Sequence, residues 1–507
     1  MISGFSRGSA AVLLCAFGAG AAQADVSAQD VWSDWRAYME GTGYVVSGTE
    51  QMSGNTLTVS NTLMSAEMEE DNVAFELRMG DLSFTENADG TVSIAFPPEM
   101  PFVVSGITED GEPFEATITY SHTGFSMVAG GDPDDMTYNY TASSVDLNLT
   151  DVVVDGAPIG RDIAAFNLSI LNLIGSTEVT GGDVRSYAQK LQASEISYDV
   201  AINDPETDGQ LLLNASSEGL SLDSVTDLPG ALDPENMAAM IEAGFSANGV
   251  ISLGAGNSSF SFKDEVDTFS YEGSSDGGSM GFQLGAEGLG YEIEQNNVAM
   301  NVAGSGIPLP VSVNFNTLVF DLLIPIMQSD DPQAFGLTIG LSDFTMSDLI
   351  WGIFDPTGQL PRDPATILLA VSGQMKVLAN ILDPMVAAQM EDGPPPGELQ
   401  ELTIEGLEVS VAGASLTGTG DFSFDNTDTV TFDGIPRPIG GLELQLVGGN
   451  GLLDKLVAMG LLPQEQAGGA RMMMGLFAVP GDAPDTLNSR LEINEQGHIL
   501  ANGQRIQ

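Results

Sequence analysis

Residues 337 to 375 read LTIGLSDFTMSDLIWGIFDPTGQLPRDPATILLAVSGQM, and the reading of this stretch organises the rest of the chain. A short helix signal, Ser347 to Trp351, runs into a turn, Phe354-Asp355-Pro356-Thr357-Gly358. A second turn, Leu360-Pro361-Arg362-Asp363-Pro364, follows, and then an apolar run from Ala365 to Val371. Proline fixes φ and glycine admits left-handed backbone, so the two turns are rigid punctuation rather than slack loop. The expectation is a structural corner, where one sheet ends and another begins, built from Trp351, Asp355, Pro356, Gly358, Pro361, Arg362 and Asp363. Arg362 is one of only 14 basic residues, and it is expected to pair with a corner carboxylate such as Asp355 or Asp363. Nothing in the stretch has the composition of a catalytic site.

On both sides of the corner the pattern is β. Thr56 to Ser60, Val73 to Met79, Thr91 to Phe96 and Phe114 to Tyr120 alternate apolar and polar residues. Turn signals such as Asn87-Ala88-Asp89-Gly90, Asp110-Gly111 and Gly130-Gly131-Asp132-Pro133 separate them. This spacing predicts antiparallel hairpins with one wet face. Phe245 to Gly304 is rich in glycine and serine and reads as a regular meander or wall of short strands. A longer strand is expected over Val311 to Ile326, and strands again from Leu402 to Val411 and Ala414 to Phe424. A hairpin turning at Gln496-Gly497 closes the chain. The predicted fold class is mainly β: long, curved and twisted antiparallel sheets with a few short helices.

Helix signals are sparse. The first is capped by Ser27 with Asp30 three residues on, and carries Val31, Trp32, Trp35, Tyr38 and Met39 on one stripe before Gly41 and Gly43. It carries Arg36 against Asp30, Asp34 and Glu40, which suits docking on a core rather than on a membrane surface. A second is expected behind Asp233-Pro234, with Met237, Met240 and Ile241, and another behind Asp383-Pro384. Asn450 to Val457 and Gln464 to Leu476 read as a C-terminal pair, with Met472-Met473-Met474 packing into a core. Gly393-Pro394-Pro395-Pro396-Gly397 is the clearest linker. The expected division is a signal peptide at 1–24, a helix plus antiparallel β region at 25–230, a short helix plus Gly/Ser-rich β region at 231–310, and a C-terminal β region with the corner and the helix pair at 311–507.

The leader reading rests on Arg7, an apolar run from Ala10 to Phe17, and Ala22-Gln23-Ala24, with cleavage after Ala24. Cys15, the one cysteine, falls inside it, so an exported chain would carry no thiol and no disulfide. The expected location is periplasmic or secreted. The 507 residues hold 71 acidic and 14 basic side chains, a formal net charge of −57. Such a chain repels nucleic acid and anionic membrane surfaces. No apolar run is long enough for a transmembrane helix. The acidity itself reads as a solvated, salt-screened surface.

Chemistry is thin. Gly273-Ser274-Ser275-Asp276-Gly277 matches G-x-S-x-G, but a nucleophile elbow needs a strand before it and a helix after it, and here glycine and serine turns flank it. His122 and His498, the two histidines, read as solvated turn residues. Asp204-Pro205-Glu206-Thr207-Asp208-Gly209 resembles the start of a calcium loop, yet its twelfth position is Ala215, where a bidentate glutamate is required. Any calcium there would be weak and adventitious. No cofactor, no dedicated metal site and no catalytic residue is assigned.

The two turns of the corner, the ending Ala501-Asn502-Gly503-Gln504-Arg505, the Val31-Trp32-Ser33-Asp34-Trp35 helix and the Asn450-Gly451-Leu452-Leu453-Asp454 segment together resemble a family of secreted proteobacterial proteins described only as a domain of unknown function. The long amphipathic β pattern is more distantly similar to envelope proteins of the AsmA type, and that resemblance implies a curved sheet holding lipid in an apolar groove. The leader reading of residues 1–24 implies that the N-terminal membrane anchor usual there is not expected in this chain. The functional expectation is a non-enzymatic structural or binding role in the cell envelope. The alternatives are a carrier of lipid or another hydrophobic ligand on the apolar face of a curved sheet, and a carboxylate-based envelope hydrolase. The partners to expect are a hydrophobic ligand or an envelope protein. The carrier reading depends on whether the few helices leave that face open.

Overall fold

The computed structural model describes residues 26–68, 72–108, 111–204, 207–230, 236–382 and 397–506. The leader, the Asp233-Pro234 and Asp383-Pro384 helix starts and the proline run of the linker lie outside the described residues. The chain is mainly β, 64% strand against 11% helix, and all 27 strands among the described residues belong to one antiparallel sheet.

The sheet is a meander. Ala164–Thr180 pairs with Val184–Asp204, which pairs with Gly209–Pro229, and Gly288–Gly304 pairs in turn with Val311–Ile324. Pairing therefore runs unbroken across residues 230 and 310. At several places a long strand faces two shorter ones end to end. Gly209–Pro229 pairs with Ser246–Leu253 along one half and with Gly256–Lys263 along the other. Asp135–Val154 does the same with Ser126–Gly131 and Pro113–Thr123.

A crease separates the two halves. A straight strand of 21 residues would reach about 70 Å, and several of the longer strands carry a left-handed residue near the middle. Asn61, Asn172, Asn297 and Asp343 sit inside strands with φ of 53°, 51°, 47° and 52°. Gly80 and Gly219 do so at 66° and 86°. Left-handed backbone within a strand interrupts the ladder and bends it. The register aligns these positions. Asn172 faces Ser194, Ser194 faces Gly219, Asn297 faces Asn316, and Asn316 faces Asp343. Ladder groups opened there are met by side chains: the Asn61 amide donates to Asp81 Oδ1 at 3.0 Å, Ser194 Oγ to the Leu171 carbonyl at 3.2 Å, and the Asp343 amide to Thr366 Oγ1 at 3.3 Å, while Asn172 Nδ2 donates to Ser194 Oγ at 2.9 Å, Asn297 Nδ2 to Asp276 Oδ2 at 2.7 Å and Asn316 Nδ2 to Asp343 Oδ2 at 2.7 Å across the same line. The left-handed residue also skips one step of the alternation, so Phe166, Leu168 and Ile170 stay on the same face as Leu173 and Val179.

Helix α1, Ala28–Gly41, has the expected capping box between Ser27 and Asp30. Val31 and Trp32 bury against Leu57, Val59, Leu82, Phe84, Val92 and Ile94. Trp35 stacks on Phe96 at 5.5 Å and meets Phe84 edge-on at 5.6 Å. Asp34 is buried, paired with Arg185 from the sheet, and accepts a 2.6 Å hydrogen bond from the Tyr138 hydroxyl. Burial pushes the Asp34 carboxyl up, against the pull of that hydroxyl and the guanidinium. Helix α2, Met237–Glu242, is capped by Asn236 and buries Ile241 with Ile326 and Met327. Helices α3 (Asp348–Phe354), α4 (Gly449–Ala458) and α5 (Gln464–Phe477) are linked to strand ends and bury little.

Three expectations are corrected here. The corner does not join two sheets. Gln333–Met346 and Ala365–Val377 are hydrogen-bonded neighbours, and the stretch between them is a long connection within one sheet. Arg362 does pair with a carboxylate of the corner, but with Asp348 at the start of α3 rather than Asp355 or Asp363, and that pair is exposed. The methionines of α5 do not form a core: Met472 is 73% exposed and Met473 50%.

Candidate apolar binding face

The register assigns one continuous apolar face. One row runs Phe282, Tyr291, Leu322, Leu337, Val371, Ile404, Gly420, Leu442, Leu491 and Ala501. At about 4.8 Å per strand it spans roughly 43 Å. The next row runs Met280, Ile293, Phe320, Ile339, Leu369, Leu407, Gly418 and Leu444. Neither row contains a formal charge. The residues between the rows point to the other face and include the cross-strand pair Glu292 and Asp321.

In the first third of the sheet α1 covers one half of this face. Elsewhere α2 packs against Leu284 and Leu289, and much of the remaining face stays open. Tyr291 is 47% exposed, Ile339 44% and Ile367 53%, and Met280, Phe282, Ile293 and Val409 are exposed as well. Eleven percent helix cannot cover a sheet that takes 64% of the chain. The surface area agrees: 29139 Å², against roughly 18,000 Å² for a globular monomer of 52.9 kDa. The excess persists after about 8,000 Å² is allowed for the undescribed residues at unfolded-chain exposure. An exposed apolar patch of this extent marks a binding surface more often than an idle one.

Where the face meets the crease it is concave. A depression of 270 Å³ is lined by Tyr198, Ser217, Ser258, Tyr271, Gln295 and Val298 among others, and by no charged side chain. Gly256 and Gly278 form part of its floor. A Cβ at Gly278 would collide with the Glu294 carbonyl oxygen and lie 2.5 Å from Gln295 Nε2, so glycine permits the close backbone approach there and the amide stands beside it.

The corner residues named from sequence share the connection around α3 but line no depression of this kind. Trp351 is half-buried, and its indole nitrogen has no hydrogen-bond partner. Asp355 is the organiser: it is 2% exposed and accepts from the amides of Gln359 at 2.9 Å and Leu360 at 2.7 Å. Burial pushes its carboxyl up, and these amides outweigh that and hold it below the usual carboxylate range. Pro356, Gly358, Pro361 and Asp363 shape the turns, with Gly358 left-handed at φ 63°. The G-x-S-x-G match lies between two strands, Thr268–Ser275 and Gly277–Gly285, at the crease, with no helix behind it. His122 departs from expectation. It sits in the strand Pro113–Thr123, packs 4.9 Å from Phe125, and its buried Nδ1 has no hydrogen-bond partner, so burial pulls its pKa down. His498 lies in the closing turn as expected. Glu206 of the calcium-like loop lies outside the described residues, and no group of three or more His, Cys, Asp or Glu side chains among the described residues could hold a metal ion. Among them, too, no helix is long and apolar enough to cross a membrane.

The open face itself is absent from the residues singled out by sequence. Its signal was present as alternation in each strand, but which strands align was not.

A family model described as an uncharacterized protein conserved in bacteria (DUF2125) matches residues 240–497. The match takes in both turns of the corner and Asn450 to Asp454, and leaves outside it the Val31 to Trp35 helix and the ending from Ala501. No curated protein and no solved structure matches the chain, so the likeness to AsmA-type proteins gains no support.

Proposed function

The chain belongs to the bacterial DUF2125 family, and we propose that it is a non-enzymatic binding protein of the cell envelope that carries a lipid or another hydrophobic ligand on the apolar face of its bent sheet. The observation that carries this reading is the pair of charge-free rows left largely open across the sheet, with Tyr291 and Ile339 in them and Ile367 in the adjoining row about half exposed. A groove open on one side buries only part of a chain, at about 0.8 kcal/mol per buried CH₂. One acyl chain of about 14 carbons enters a bilayer with a constant near 10⁴ M⁻¹, so a dissociation constant of roughly 100 μM sets the scale for one chain on this face. The export reading of residues 1–24 supports a periplasmic or secreted location.

The test is equilibrium titration of the purified protein with an environment-sensitive alkyl probe, together with mass spectrometry of organic extracts. Binding that falls about tenfold or more in an Ile339→Glu, Ile367→Glu double variant of unchanged melting temperature supports the face as the site. A clean extract and no probe binding would leave a purely structural role.

A further inference from the structure

The depression at the crease says which ligand class the face would take, an inference that rests on the carrier reading above. We propose that the ligand is an amphiphile with an uncharged, hydrogen-bonding head, such as a glycerol ester or a glycoside, whose head occupies the crease depression while its chain lies along the open rows.

Three observations point there. First, the depression is mostly apolar, and the polar groups set into it carry no charge. Tyr198, Ser217, Ser258, Tyr271 and Gln295 bring hydroxyl and amide groups to its 270 Å³, and no Lys, Arg, Asp or Glu lines it. Hydroxyls and amides both donate and accept, which suits alcohol and ester oxygens. An anionic head would need a fixed cation or convergent N–H donors, and a charge taken from water without one is costly. Second, capacity is free. Ser217 Oγ has its proton committed to the Gly254 carbonyl at 3.0 Å and keeps its lone pairs as acceptors, and Ser258 makes a long 3.4 Å contact with the Tyr271 hydroxyl. Among the described residues the Gln295 amide has no hydrogen-bond partner, although Gly278 opposite it leaves the space in which it stands. Third, the depression is continuous with the apolar rows. Gln295 pairs with Gly278 and Leu318, and its neighbours on the same face are Ile293 and Val298. A head held at Gln295 thus places its chain on Ile293, Phe320 and Ile339. The net charge of −57 adds long-range repulsion of anions, which acts over about 10 Å at moderate salt.

The experiment uses the full mature chain and three probes with one saturated sixteen-carbon chain: a monoacylglycerol, the fatty carboxylate, and the alkyltrimethylammonium. Each displaces the alkyl reporter in titrations at pH 8 and at two salt concentrations. The expected result is monoacylglycerol at least about tenfold tighter than either ion. A Tyr271→Phe, Gln295→Leu double variant should bring that ratio close to one while reporter binding is kept, which also shows the variant to be folded. Carboxylate binding as tightly as the monoacylglycerol would overturn the assignment of the head and leave the carrier reading intact. Tighter binding of the ammonium would overturn it too, with the acidic field in place of the depression as the selector. Failure of all three probes and of the reporter would sink both this inference and the carrier reading.

Discussion

Replacing Asn172 by valine tests the claim that left-handed residues set the crease. Asn172 holds φ at 51° inside a strand, and its Nδ2 donates to Ser194 Oγ at 2.9 Å. An L-residue in that conformation costs roughly 1–2 kcal/mol, least for asparagine, and a β-branched residue is the worst suited to it. The lost hydrogen bond adds about 0.5–1 kcal/mol at a site this exposed. Asn172→Val should therefore destabilise by about 2 kcal/mol or more. Asn172→Gly loses the same hydrogen bond but adopts the conformation freely, and should cost no more than about 1 kcal/mol. The assay is urea denaturation followed by circular dichroism, with midpoints compared at a shared slope. Repeating the pair at Asn297, where φ is 47°, should give the same order. Valine and glycine variants of equal stability at both positions would refute the reasoning, because the backbone conformation would then carry no cost and the bend would have another origin.

Trp32→Ala should cost about 3–5 kcal/mol, since Trp32 is 1% exposed beneath α1 and donates from Nε1 to Glu50 at 2.8 Å; a denaturation midpoint near wild type would contradict this docking. Arg362→Ala should cost less than about 1 kcal/mol, because its pair with Asp348 is exposed, whereas Asp355→Ala should cost about 2–3 kcal/mol by stranding the amides of Gln359 and Leu360; thermal melts of the two variants in the reverse order would contradict the assignment. Asp485 receives the amides of Asn450 and Gly451 at the start of α4; burial raises its carboxyl, but these donors prevail and lower it. A lowered carboxylate stabilises the fold above the ordinary carboxylate range and loses that contribution as pH falls through the folded value. Melting temperatures between pH 7 and pH 3 should accordingly drop less for Asp485→Ala than for wild type, and parallel curves would contradict the capping role.

Local signals were legible along the chain. The alternation in Val73 to Met79 and Phe114 to Tyr120, the Ser27 capping box, the C-terminal helix pair and the turn at Gly497 all follow from neighbours a few residues apart, and each appears where those neighbours put it. Long-range partners were not legible. Arg362 had three carboxylates within reach of its own connection, and only the placement of α3 selected Asp348. His122 looked like a turn residue because its strand ends one residue later, at Thr123. Asn172 looked like an ordinary polar position in Ile170-Leu171-Asn172-Leu173-Ile174, where a left-handed residue keeps Ile170 and Leu173 on one face. The sequence by itself determined the β class, the acidic character and each strand's amphipathicity, because these are properties of residue type and of a two-residue period. Only the tertiary structure decided that one sheet holds all the strands, that the bends align into a crease and that the apolar rows stay open. Register between strands is a non-local choice, made by the sum of cross-strand contacts.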